Sequence, residues 1–171
     1  MNIKSRNWQI QAGAVELRPF CDTDEDDALE IFLSEEVQKT YMLPAFESRD
    51  AASKLFKRLL KMSHDEQRFI YGVFLGEKLI GIINEVDKSD ELIELGYAIN
   101  PMHKNHGYAT MALRVCIKEL KRMGYKTIRA GYFEENTASS RVMEKCGMKV
   151  IDHTDTVEYR GKTHKCRYFE I

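Results

Sequence analysis

Three pieces in direct succession constrain this chain more than anything else in it: a strand stopped by proline, a short polar turn carrying a glycine, and an amphipathic helix. Ile93 to Ile99 is apolar apart from Glu94 and reads as a buried strand that Pro101 ends. The turn Met102 to Thr110 follows and contains Gly107. Beyond it Ala109, Ala112, Leu113, Cys116, Ile117 and Leu120 keep the spacing of one helical face. Arg114, Lys118, Glu119, Lys121 and Arg122 take the other face, and Gly124 supplies the stop. A strand that delivers a glycine-bearing turn onto a helix N-terminus leaves unpaired backbone N–H groups pointing outward, where the helix dipole favours an anion such as phosphate.

This turn resembles the pyrophosphate-binding signature of the GNAT superfamily of N-acetyltransferases: a basic or amide residue, two others, glycine, one other, then glycine or alanine. Lys104, Gly107 and Ala109 fill those places. A strand, Thr127 to Phe133, comes next. The run Glu135-Asn136-Thr137-Ala138-Ser139-Ser140-Arg141-Val142-Met143-Glu144-Lys145-Cys146-Gly147 then resembles the last helix of one GNAT branch, that of ribosomal-protein N-terminal and polyamine acetyltransferases. Two motifs in that order and at that spacing make a specific signal, and the resemblance covers the chain from about Val15 onward.

The 171 residues suffice for one well-buried domain, expected to span 1–171 with 1–13 as an N-terminal extension. A net charge of -1 gives no support for a nucleic-acid surface, and no apolar run approaches a membrane span. The start lacks the apolar core of a signal peptide. Cys21, Cys116, Cys146 and Cys166 are scattered without a C-x-x-C pair, so they read as reduced structural thiols of a cytoplasmic protein.

Val15 to Phe20 alternates as a first strand. The acids between Asp22 and Asp27 open a helix through Ala28, Ile31 and Phe32, either as its cap and first turn or as a patch attracting a cation. Glu35 to Phe46 reads as a loop or broken helix, and Ala52 to Leu60 as a second helix. Phe69 to Leu75, Leu79 to Val86 and the strand from Leu92 form a meander; Arg160-Gly161-Lys162 turns a closing hairpin. The fold expected is α+β: a GNAT-like mixed, mostly antiparallel central sheet of about seven strands with helices on both faces.

Acyl transfer from a thioester to an amine requires a held donor, a polarised carbonyl, a proton acceptor and a stabilised leaving thiolate. The resemblance implies that the donor's pyrophosphate lies on the N–H groups of Asn105, His106, Gly107, Tyr108, Ala109 and Thr110, with Lys104 adding a positive charge. It also implies that backbone groups of Tyr97, Ala98 and Ile99 pair with the pantetheine arm, and that Asn136 caps the last helix and bonds the donor. The turn departs from the family pattern: lysine replaces the usual arginine or glutamine, and Asn105-His106 stands where Gly-Lys is common. Backbone donors do not depend on those side chains. Met143 stands where many members carry a tyrosine that protonates the thiolate; Ser139 matches the serine this branch uses instead.

Glu94 is the first candidate base, because a carboxylate in an apolar strand has its pKa raised by desolvation. Glu85 is the second and a candidate acceptor contact; an ordered water remains a third route. Tyr41, in Glu36-Val37-x-x-x-Tyr41, resembles a segment that lies over the acceptor, or it packs its own loop down. The implied co-substrate is acetyl-CoA and the implied partner a primary amine: a protein N-terminus, a polyamine or another small amine. No metal, nucleic acid or membrane is expected, and a homodimer is left open. The alternative is a catalytically weak CoA-binding sensor or interaction module, favoured by Met143 and the altered turn.

Overall fold

The structure, a computed structural model, describes residues 5–171. Residues 1–4 of the expected extension lie outside them. Its sheet grows from segments that are apolar on both faces and so demand cover on each side. At one edge β1 (Ile10–Ala12) pairs with β2 (Val15–Arg18). This strand falls inside the stretch read as an extension; three residues are too short for alternation to announce it. The helices α1 (Glu25–Phe32), α2 (Glu35–Thr40) and α3 (Arg49–Ser63) follow. The acidic start of α1 is structural: Asp24 accepts the Cys21 N–H at 2.8 Å, and Asp27 accepts the Leu79 N–H at 3.1 Å.

The meander β3 (Ile70–Leu75), β4 (Lys78–Lys88) and β5 (Leu92–Ile99) forms the middle of the sheet. Tyr71, Val73, Ile80 and Ile83 belong to one core, and Ile70, Phe74, Leu79 and Ile82 to the other. The first core is covered by α4 (Tyr108–Met123) through Ala112, Leu113, Cys116, Ile117 and Leu120. The second is covered by α1 and α3 through Leu29, Phe32, Ala52 and Phe56. Then come β6 (Thr127–Phe133), α5 (Thr137–Lys145), β7 (Lys149–Tyr159) and β8 (Lys162–Glu170).

Among the described residues the sheet therefore has eight strands, in the order β1-β2-β3-β4-β5-β6-β8-β7. Every neighbouring pair is antiparallel except β5 and β6. This is the mixed, mostly antiparallel α+β fold that the sequence implies. No helix among the described residues is long and apolar enough to cross a membrane. All four cysteines are free thiols.

Candidate active site

The site begins where two neighbouring strands part. β5 and β6 pair only over Leu92–Leu95 and Thr127–Ala130. Beyond Leu95, β5 stays paired with β4, through Gly96 to Asn84 and Tyr97 to Ile83, but no longer with β6. Backbone groups between Tyr97 and Ile99 that face β6 are thus left without a strand partner, and unpaired groups of this kind seek a ligand.

A cavity of about 300 Å³ opens there, lined by Tyr97, Ala98 and Ile99 from β5, the turn residues Lys104, Asn105 and Gly107, and the first turn of α4, Tyr108, Ala109 and Thr110. Gly107 is the N-cap of α4 in a left-handed conformation, φ 78°, which L side chains adopt at a cost. It offers no capping side chain, so the orphan N–H groups of the first turn remain available. A Cβ on Gly107 would meet nothing within 4 Å, so the space in front of the turn is open. Asn136 and Ser139 line the opposite wall, with Arg141 and Lys145 one turn apart on α5. Those two cations are absent from the sequence reading. Their spacing is visible, but charges on an exposed helical face are usually only solvated. The acid lining this cavity is Glu36 of α2, which ion-pairs with Lys104. His106, expected among the donor contacts, does not line the cavity. Its ring stacks on Tyr108 at 5.3 Å between centroids.

A second cavity, about 350 Å³, lies under Tyr41 and Met42 and is lined by Asn84, Val86, Glu94, Gly96, Gly131, Val157 and Tyr168. The Tyr41 hydroxyl donates to Asn84 Oδ1, so Tyr41 both packs its loop and roofs this cavity. Glu94 is half-buried, and burial raises its pKa against the opposing pull of Arg129. Gly131 makes room for it: a Cβ there would stand 2.8 Å from the Tyr168 ring and 3.4 Å from Glu94 Oε1.

Thr40, Tyr97, Asn136 and Ser139 line both cavities. The Tyr97 hydroxyl sits 2.9 Å from Ser139 Oγ and 3.2 Å from the Ser139 carbonyl oxygen. Burial pushes the Tyr97 phenol well above its ordinary pKa, so it keeps its proton; the hydrogen bond to Ser139 works against this but is the smaller influence. Asn136 Oδ1 accepts the Ser139 N–H at 3.3 Å and caps α5. The sequence reading assigned Tyr97 a backbone role only, because which hydroxyl meets a strand's side chain depends on an element forty residues further on. Met143 is fully buried in the α4 core and does not line either cavity.

Glu85 is the expectation the geometry overturns. It pairs with Leu95, so its side chain takes the face opposite Asn84 and Gly96. Its carboxylate is engaged there by Arg68, by Lys88 at 3.0 Å and by the Phe69 N–H at 3.1 Å. These groups edge a separate cavity of about 550 Å³, larger than the other two but remote from the α4 turn. Glu85 also lines the cavity under Tyr41, but its carboxylate is engaged by Arg68, Lys88 and the Phe69 N–H.

An anion-ready helix start joined through paired hydroxyls to a cavity holding a half-buried carboxylate is an arrangement that acyl transfer can use. The family description of the acetyltransferase (GNAT) domain matches residues 14–149, and the chain belongs to that family: it is an acetyltransferase with acetyl-CoA as co-substrate. No curated protein matches it. Among solved structures, a GNAT-family acetyltransferase from Bacillus anthracis superposes with a TM-score of 0.81 at 24% identity, over 95% of this chain and 97% of that one. RimL, the ribosomal L7/L12 alpha-N-protein acetyltransferase, in complex with coenzyme A, gives 0.83 at 15% identity over 95% and 97%. The microcin C7 self-immunity acetyltransferase MccE, in complex with acetyl-CoA and AMP, gives 0.80 at 14% over 93% and 92%. At these identities the likeness is one of fold.

Proposed function

We propose that the chain transfers the acetyl group of acetyl-CoA to a primary amine by direct attack of the amine on the thioester. The observation that carries this reading is the shared wall: two cavities of different character meet at Tyr97, Asn136 and Ser139. The donor side offers what a pyrophosphate needs. It has first-turn N–H groups of α4, open space before Gly107, and the cations Lys104, Arg141 and Lys145. Acetyl-CoA supplies the activated acyl group; the residues supply its orientation and the proton transfers. The free backbone between Tyr97 and Ile99 aligns the donor's amide-bearing arm and leaves an N–H to polarise a carbonyl. Glu94 takes the proton that the acceptor nitrogen must lose and releases it to solvent; the Ser139 hydroxyl, hydrogen-bonded to Tyr97, gives its proton to the departing thiolate and regains one from solvent.

Acetyl-CoA at a hundredfold excess over Kd should stabilise the protein by about 2.7 kcal/mol, read as a rise in Tm. Gly107→Glu puts a negative charge into the cradle, and Gly107→Ala carries the same backbone strain without the charge. The glutamate variant should lose the Tm rise and thiol release with amines, and the alanine variant should keep a measurable part of both. Equal acetyl-CoA binding by the two variants would place the donor elsewhere.

A further inference from the structure

The cavity assigned to the acceptor is electrostatically one-sided. Glu94 is the acid whose carboxylate faces it, since Glu85 turns its own to the other side of the sheet. Among the described residues, no lysine, arginine or histidine lines it. Arg129, the cross-strand partner of Glu94, stands with its guanidinium 5.7 Å from the Tyr168 ring centroid, but Glu170 already holds its Nε and Nη2 at 2.8 and 2.6 Å. Beyond the Tyr168 ring lies a paired group and not a free cation: the Tyr168 hydroxyl donates to Asp155 Oδ2 at 2.8 Å, and His153 Nε2 lies 3.2 Å from the same oxygen. The donor cavity, by contrast, carries three cations. The mouth is apolar, with Met42 53% and Val86 56% exposed and Val157 beside them.

A negatively charged cavity suits an ammonium, and it penalises any second anion on the same molecule. The carboxylate of an α-amino acid is two bonds from its nitrogen, so seating that nitrogen at Glu94 brings two carboxylates together with no free cation between them. We infer that the acceptor is an amine whose neighbouring carbon bears no carboxylate, with an uncharged apolar body against Met42, Val86 and Val157, so that free α-amino acids are excluded. This rests on the transfer reading above. The discrimination is achieved by repulsion as much as by fit.

The test compares leucine, 3-methylbutylamine, leucinamide and the tripeptide amide Leu-Ala-Ala-NH2 by thiol release from acetyl-CoA. 3-Methylbutylamine is leucine without its carboxylate and is the more basic amine, so less of it is free at a given pH. A preference for it cannot come from amine ionisation. The three carboxylate-free amines should exceed leucine in kcat/KM by about a hundredfold or more, each expressed per free amine. If the two amides lead, the body is a peptide; if 3-methylbutylamine leads, it is an alkyl chain; both support the inference. Val86→Arg, placing a cation at the mouth, should narrow the gap for leucine by about tenfold, with folding checked by its Tm rise with acetyl-CoA. Leucine used within threefold of 3-methylbutylamine would overturn the inference alone. No thiol release with any of the four, while acetyl-CoA still raises Tm, would overturn the inference, and the same silence across a panel extended to polyamines would overturn the transfer reading with it.

Discussion

Glu94 meets two opposing demands. Burial raises its pKa, Arg129 and His153 pull it down, and Asp87 and Asp155 push it further up. The balance is upward, so the folded chain keeps this proton to higher pH than the unfolded chain does. The native state binds more protons across that window, and stability falls as pH rises from about 4.3 through the folded value. Glu94→Gln should therefore raise Tm at pH 7, with the gap closing as pH is lowered to about 4. The same change should lower kcat by about a hundredfold and remove one ionisation from the kcat/KM profile. Full activity in the variant would move the base to an ordered water. Tyr97 tests the other end of the reaction. If its hydroxyl acts through Ser139, Tyr97→Phe should lower kcat by about tenfold without weakening CoA binding. The double variant with Ser139→Ala should then be no slower than the worse single one, because coupled residues do not add. Additive losses would separate the two hydroxyls.

At the scale of elements, α2 joins the two halves of the site. Glu36 reaches Lys104 beside the first cavity, Thr40 lines both cavities, and Tyr41 lines the second. With the donor's phosphates placed as proposed, the Glu36 carboxylate is an unfavourable neighbour for them, and it also occupies the turn's own lysine. Glu36→Gln should tighten CoA binding by about two- to fivefold in calorimetry at low salt, the gain shrinking as salt is added, since the pair is exposed. Weaker binding would mean that Glu36 orders α2 rather than competes. The longer elements, α3 and α4 among them, were legible from sequence because each repeats its apolar period over several turns. α2 was legible only as a loop or broken helix: six residues are too few for a period, and its stability comes from the Ser34 cap and the burial of Val37. The α4 turn was legible because a glycine at a helix start has a local cause. Arg141 and Lys145 were not, because only tertiary placement brings an exposed helical cation to a cavity wall.

In the whole molecule the acceptor cavity is closed by segments far apart in the chain. β8 lies between β6 and β7, which sets Val157, Cys166 and Tyr168 beside the gap left by β5. A closing hairpin could be read from Arg160 and Gly161, but its place in the sheet could not, since strand order depends on long-range pairing with no local signal. The tie between this hairpin and the roof of the cavity is equally invisible in sequence. The Tyr159 hydroxyl donates to the Gln38 carbonyl at 2.7 Å and accepts the Leu43 N–H at 3.2 Å, while its ring packs on Phe133 at 5.8 Å. One phenol thus fastens both ends of the segment that carries Tyr41 and Met42. Tyr159→Phe keeps the ring contact and removes the hydroxyl's bonds, including the one it accepts from Arg160 Nε at 2.9 Å, so global stability should fall by about 1 kcal/mol. The larger effect should be local. Amide exchange across residues 38–44 should quicken, and KM for the acceptor should rise about three- to tenfold as the roof loosens. Kd for CoA should stay unchanged, because the bonds removed do not touch the α4 turn. Unchanged exchange in that segment, with an unchanged acceptor KM, would mean that the Tyr41–Asn84 bond alone holds the roof and that the hairpin is only a wall.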